Sequence, residues 1–191
     1  MAKGLGTPDA CMWVSIANCP PQARYQTMAQ ITPLAPGELQ DITANSSNHW
    51  RKLFNVYAKL LYALNTAEPG WIGGDYPSWQ TFRDGELLQA GGRQALLFGA
   101  PPVADTAVTL IAGKTWAQAL GLGGKLQWLD AHFAVYPGKP WLVCPYFDYR
   151  QLTNARIDQL VTIVSGWARG PIGCRAKANL RANSNKDVMK N

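Results

Sequence analysis

The apolar positions of this chain fall into two kinds of pattern. Some form short unbroken runs, and others recur at helical spacing. Residues 11–17 form the first run, stopped by Asn18-Cys19-Pro20-Pro21, which predicts a buried strand passing into a loop. Residues 18–45 are rich in Pro, Gln, Thr and Ala and predict a long loop with one helical turn. From 47 to 64, Trp50, Leu53, Phe54, Tyr57, Leu60, Leu61 and Leu64 follow the i, i+3, i+4, i+7 spacing of a helix with one buried face. Ser46, Ser47 and Asn48 supply N-caps, and Pro69-Gly70 closes the segment.

Residues 69–85, with Gly70, Gly73, Gly74, Pro77 and Gly85, predict a loop. A second helix is expected over 85–97, weakened at Gly91-Gly92, where paired glycines suggest close packing against another backbone. Residues 107–112 predict a second buried strand, followed by Gly113-Lys114-Thr115 and a helix from 116 to 122. Residues 132–136 and 141–143 predict two strands joined at Pro137-Gly138, and 154–167 a final helix. Apolar strands alternating with helices predict an α/β fold, a three-layer α/β/α arrangement with a mostly parallel central sheet. Ligands of such sheets bind beyond the carboxyl ends of the strands, a rim that takes in Asn18, Cys19, Lys114 and residues 144–150.

Composition narrows the classes. At 191 residues and 47% apolar content, the chain can bury a full core without disulfide or metal staples. Its 16% charged residues argue against disorder. The net charge of +6 is uneven, because residues 174–191 hold Arg175, Lys177, Arg181, Lys186 and Lys190 against Asp187. The expected organisation is one domain over 1–173 and a basic tail over 174–191. Such a tail can attract phosphate or simply be a solvated terminus. Cys11, Cys19, Cys144 and Cys174 have no C-x-x-C spacing and only two histidines to join them, so no structural zinc site and no other cofactor are expected. No apolar run approaches the roughly 18 residues of a membrane span. A cytoplasmic monomer with reduced thiols is the expectation.

Candidate chemistry is sparse. Gly113-Lys114-Thr115 ends like a phosphate loop, but the earlier glycine of that motif is replaced by Val108, which excludes a nucleoside triphosphatase of that type. Cys19 and Cys144 each end a predicted strand, yet neither has a histidine spaced as its base. Near the rim, carboxylates are limited to Asp148 and Asp41.

Four segments, in order, carry a resemblance. Ile16-Ala17-Asn18-Cys19-Pro20 is similar to a strand ending in G-I/L-N-P-G, and the stretch from Asn48 to Leu53 is similar to N-R-F-W opening a helix. The stretch from Glu86 to Arg93, then Leu110-Ile111-Ala112-Gly113-Lys114, is similar to E-L-x-A-G-G-R followed by L-L-G-K. Trp141-Leu142-Val143-Cys144-Pro145-Tyr146 is similar to W-V-L-P-N/H-P-S. Over about residues 11–168 the chain thus resembles the mismatch-specific uracil/thymine branch of the uracil-DNA glycosylase superfamily, with degenerate catalytic motifs.

The resemblance implies that fold and, for a glycosylase, a base flipped from the stack and released by hydrolysis of its sugar bond. It gives Asn18 the role of positioning water and places Cys144 where the family supports the departing base. It implies nucleic-acid contacts at His49, Arg51, Lys114, Tyr146, Phe147, Tyr149 and Arg150, with Phe147 or Tyr149 stacking or wedging. DNA, single-stranded or mismatched, is the expected partner, and no membrane contact is expected. Cys144 is a poor donor, and losing one well-placed donor typically costs about 10²–10³ in rate. Three readings therefore stay open. They are a divergent base glycosylase, a non-catalytic nucleic-acid-binding or interaction domain on the same fold, and a small-molecule hydrolase or transferase with a rim rebuilt around Cys19 and Cys144.

Overall fold

The computed structural model describes residues 2–103 and 107–168, so the basic tail expected over 174–191 lies outside the described residues. In chain order the strands are β1 (Gly4–Gly6), β2 (Met12–Ile16), β3 (Ile31–Thr32), β4 (Gln94–Phe98), β5 (Val108–Ala112), β6 (Gln127–Trp128), β7 (Ala134–Tyr136) and β8 (Trp141–Cys144). The helices are α1 (Ala23–Gln26), α2 (Glu38–Ala44), α3 (Asn48–Ala67), α4 (Trp79–Gly85), α5 (Lys114–Ala119) and α6 (Asn154–Ala168).

Every residue of β2, β4, β5 and β8 is buried. Continuous burial is the mark of strands covered on both faces, and these four form the parallel centre of the sheet. The full order is β3-β1-β4-β2-β5-β8-β7-β6. β1 joins β4 antiparallel, and β6, β7 and β8 form an antiparallel meander, so the sheet is mixed. Each outer edge is a strand of only two residues, β3 on one side and β6 on the other.

Side chains alternate between two faces. Leu110 and Leu142 join the main core under α3 and α6, which pack on each other. Ile111 and Val143 point the other way and pack with Ala117 of α5. Helices thus cover both faces, an α/β architecture compatible with three layers.

The helices α3 and α6 and the strands β2, β5, β7 and β8 form where the apolar pattern predicts them. The segment expected as a second helix does not. Leu88 and Gly91 take positive φ (62° and 80°), the chain turns between Glu86 and Arg93, and the following residues enter the sheet as β4. A doubly covered strand has no polar alternation, and the run Ala95-Leu96-Leu97-Phe98 cannot be told from buried helix by periodicity. Gly92 does meet backbone closely: its carbonyl accepts from Thr7 Oγ1 at 3.0 Å, and a Cβ there would lie 3.0 Å from the Gln89 carbonyl oxygen. The two expected loops also carry helices. α4 begins on a capping box between Ser78 and Thr81, and α2 has Tyr25 Oη donating to its Glu38 at 2.8 Å.

Candidate functional site

In the parallel centre, the chain leaves β2 and returns through α3 to β4 on one side. It leaves β5 and returns through α5 to β8 on the other. The connections diverge between β2 and β5, and crevices at such points take ligands. A cavity of about 820 Å³ opens there, lined by Ala17 after β2, by Gly113, Lys114 and Thr115 after β5, and by Pro145 and Tyr146 after β8. Trp116, His132, Arg150, Gln151 and Arg156 complete most of its wall.

Local chemistry fixes these side chains. Gly113 has φ 105° and donates its N–H to the Cys144 carbonyl at 2.8 Å, a sharp exit from β5 that sets Lys114 at the mouth. The Lys114 ammonium lies 4.6 Å from the centre of the Trp128 ring, which is 43% exposed. The Trp116 indole N–H donates to Ser15 Oγ at 2.9 Å, and that buried hydroxyl donates to the Gly99 carbonyl at 2.7 Å. Arg156 donates to the Gln151 carbonyl and sits 3.0 Å from His132 Nε2; a guanidinium only donates, so Nε2 accepts. His132 is presented there because Asp130 Oδ1 accepts the backbone N–H groups of His132 and Phe133 at 2.6 and 2.8 Å.

Tyr146 stacks on His49 with centroids 5.4 Å apart and planes 24° apart, and its hydroxyl lies 3.0 Å from His49 Nε2. Burial pushes the Tyr146 phenol well above its usual range, so it keeps its proton. Burial lowers the His49 imidazole below 6.5, with Asp148 opposing and Lys52 adding. Lys114, Arg150 and Arg156 line the cavity, and no Asp or Glu does so among the described residues.

The residues singled out by the sequence divide between two depressions that both take lining from the segment 145–151. Lys114, Tyr146 and Arg150 line the cavity, and His49 supports Tyr146 from behind. Arg51 and Tyr149 line a smaller groove of about 190 Å³ along α3. Asn18 is exposed directly after Ala17 of the cavity wall, although it is not itself a lining residue.

Two expectations are corrected by burial. Cys144 is 1% exposed; β8 runs one residue further than its apolar pattern predicts, and its thiol points into the main core, 3.9 Å from the Ile111 carbonyl oxygen that accepts from it. Burial pushes that thiol far above the usual range, so it is neither nucleophile nor support for a ligand. A rim built on Cys19 and Cys144 is therefore not formed, and Cys19 packs half-buried against the same core. Phe147 is wholly buried and packs edge-on against Tyr57 at 5.6 Å, which removes it as a wedge. Asp148 does not confront a ligand as an isolated charge. The Arg150 backbone N–H holds its carboxyl below the usual range, and the Lys52 ammonium 3.1 Å away adds to this.

Sequence reasoning missed His132, Arg156, Gln151 and Trp116 as parts of one site. The Asp130-x-His132 turn was the available signal for the first. No group of three or more His, Cys, Asp or Glu placed to hold a metal occurs among the described residues. No helix among them is long and apolar enough to cross a membrane.

A family described as a family of unknown function (DUF6942) matches residues 3–165, and the chain belongs to it. No curated protein and no solved structure matches the chain.

Proposed function

Starting from membership of the DUF6942 family, we propose that the chain is a nucleic-acid-binding domain resembling the uracil-DNA glycosylases, whose switch-point cavity receives one nucleotide of a strand. The observation that carries this reading is the cavity lining, in which Lys114, Arg150 and Arg156 converge with no carboxylate among the described lining residues. Such a lining favours an anion. Trp116 and Tyr146 give it flat walls suited to a base, and the phenol of Tyr146 supplies a polar handle. Three cations meeting phosphate on a single strand give a salt slope of about −2, since each contact contributes about −0.7. Fluorescence anisotropy with a labelled trinucleotide of thymidylate, which engages the cavity alone, should therefore show affinity falling about 20-fold between about 50 and about 200 mM salt. Lys114→Ala and Arg150→Ala should each flatten that slope. Absence of a complex with micromolar protein at low salt would refute the proposal.

One observation favours base release as a second reading. Asn18 stands exposed at the carboxyl end of β2, next to the cavity wall, where an amide would orient water toward a sugar carbon. With Cys144 withdrawn into the core, support of a departing base would fall to the protonated Tyr146 phenol. A base-release assay on uracil, mismatched thymine and hypoxanthine substrates tests it. Release that survives Asn18→Ala would remove the assignment of Asn18.

A further inference from the structure

The groove along α3 is built almost wholly of hydrogen-bond donors. Arg51, Lys52 and Lys59 line it, together with Asn48, Asn55, Val56 and Tyr149. Both asparagines have committed their oxygen atoms. Asn48 Oδ1 accepts from Arg51 Nε at 2.8 Å, and Asn55 Oδ1 accepts from the Arg83 guanidinium at 2.6 Å. Their amide NH₂ groups are the uncommitted ends. Lys52 is neutralised by Asp148 at 3.1 Å, while Arg51 and Lys59 have no ion pair with a described residue. The surface therefore offers net positive charge and donors to an acceptor-only ligand, which describes phosphate.

The spacing and the neighbours indicate a polymer. Eight helical residues separate Arg51 from Lys59, about 12 Å along α3, the rise of three or four stacked nucleotides at about 3.4 Å each. Tyr149, 50% exposed, stands at the groove with the Lys52 ammonium 5.1 Å and the Arg150 guanidinium 5.7 Å from its ring centre. Arg150 itself lines the cavity. One strand leaving the cavity would thus cross Tyr149, a stacking platform, and meet Arg51 and then Lys59.

We propose that the α3 groove is the track for the phosphodiester backbone of a single nucleic-acid strand whose neighbouring nucleotide enters the switch-point cavity. This rests on the function proposed above and adds a second site to it.

The test compares a labelled trinucleotide of thymidylate with a labelled oligothymidylate of about twelve nucleotides. The double variant Arg51→Ala/Lys59→Ala leaves the Lys52–Asp148 pair intact, and a melting curve matching wild type confirms its fold. Expected results are trinucleotide binding unchanged, longer-strand binding weakened about tenfold at low salt, and the salt slope reduced by about 1.4 for two lost contacts. If the double variant binds the longer strand like wild type while Lys114→Ala and Arg150→Ala weaken it, the groove assignment is overturned and the cavity assignment stands. Equal competition by a blunt duplex or by polyglutamate also overturns it, the first on strandedness and the second on ligand class. If wild type binds neither oligonucleotide, both proposals fail together.

Discussion

Replacing Phe147 by Ala separates two roles that the loop Tyr146–Arg150 could have been given. Phe147 is 0% exposed and its ring lies 5.6 Å from Tyr57 at 73°, an edge-to-face pair inside the main core. Truncation of a buried Phe costs about 3–5 kcal/mol, including the cavity left behind. For a domain of this size each kcal/mol lowers Tm by about 2–4 °C, so the variant should melt about 6–20 °C below wild type. Tyr149, two residues away and half exposed, is the control. Tyr149→Ala should change stability by no more than about 0.5 kcal/mol. It should weaken oligothymidylate binding about 5- to 150-fold, the range of about 1–3 kcal/mol for one lost base stack. Differential scanning fluorimetry and fluorescence anisotropy on both variants give the four numbers. A Phe147→Ala protein that melts with wild type but loses nucleic-acid binding would refute the buried placement and restore Phe147 as a wedge.

Thiol accessibility and pH offer further checks. Maleimide labelling of the folded protein, followed by peptide mapping, should modify Cys19 and leave Cys144 intact until denaturant is added, since Cys144 is 1% exposed and its thiol is held protonated. His49 has a folded pKa below its usual 6.5, so the unfolded chain binds its proton more readily. Stability is then full above about pH 6.5 and falls as pH drops through the folded value. Denaturant midpoints for His49→Phe, which keeps a ring against Tyr146, should decline less between about pH 7 and about pH 5 than those of wild type; identical declines would show that His49 titrates alike in the folded and unfolded chain.

The sequence makes the central strands legible because they are buried on both faces. The runs around β2, β5 and β8 are mostly apolar, broken only by the buried Ser15 and Thr109, and the chain order of strands and helices then places a rim at their carboxyl ends. The same property hides β4. Its Leu-rich run lacks alternation, and the glycine turn that resets the chain before it lies inside a segment that also fits a helix. At the site, residues following a strand end are legible, and Lys114 and Arg150 line the cavity as the rim argument implies. Burial at single positions is not. Cys144 and Phe147 flank Tyr146 at distances of two and one residues, yet two of the three face the core and one faces the cavity. That choice depends on how far β8 continues and on the space beside Tyr57, both of which are tertiary facts. The contributions of His132 and Arg156 come from segments that meet only in three dimensions.

The two outermost strands have a consequence for how the protein behaves in concentrated solution. An open sheet edge presents unpaired N–H and C=O groups that recruit further strands from other molecules. Here both edges are cut to two residues, at Ile31–Thr32 and Gln127–Trp128. Strands most often run to about five or six residues, so a two-residue edge offers a second chain only a short ladder. The sheet can therefore carry four fully buried strands side by side while its described edges offer little template for growth.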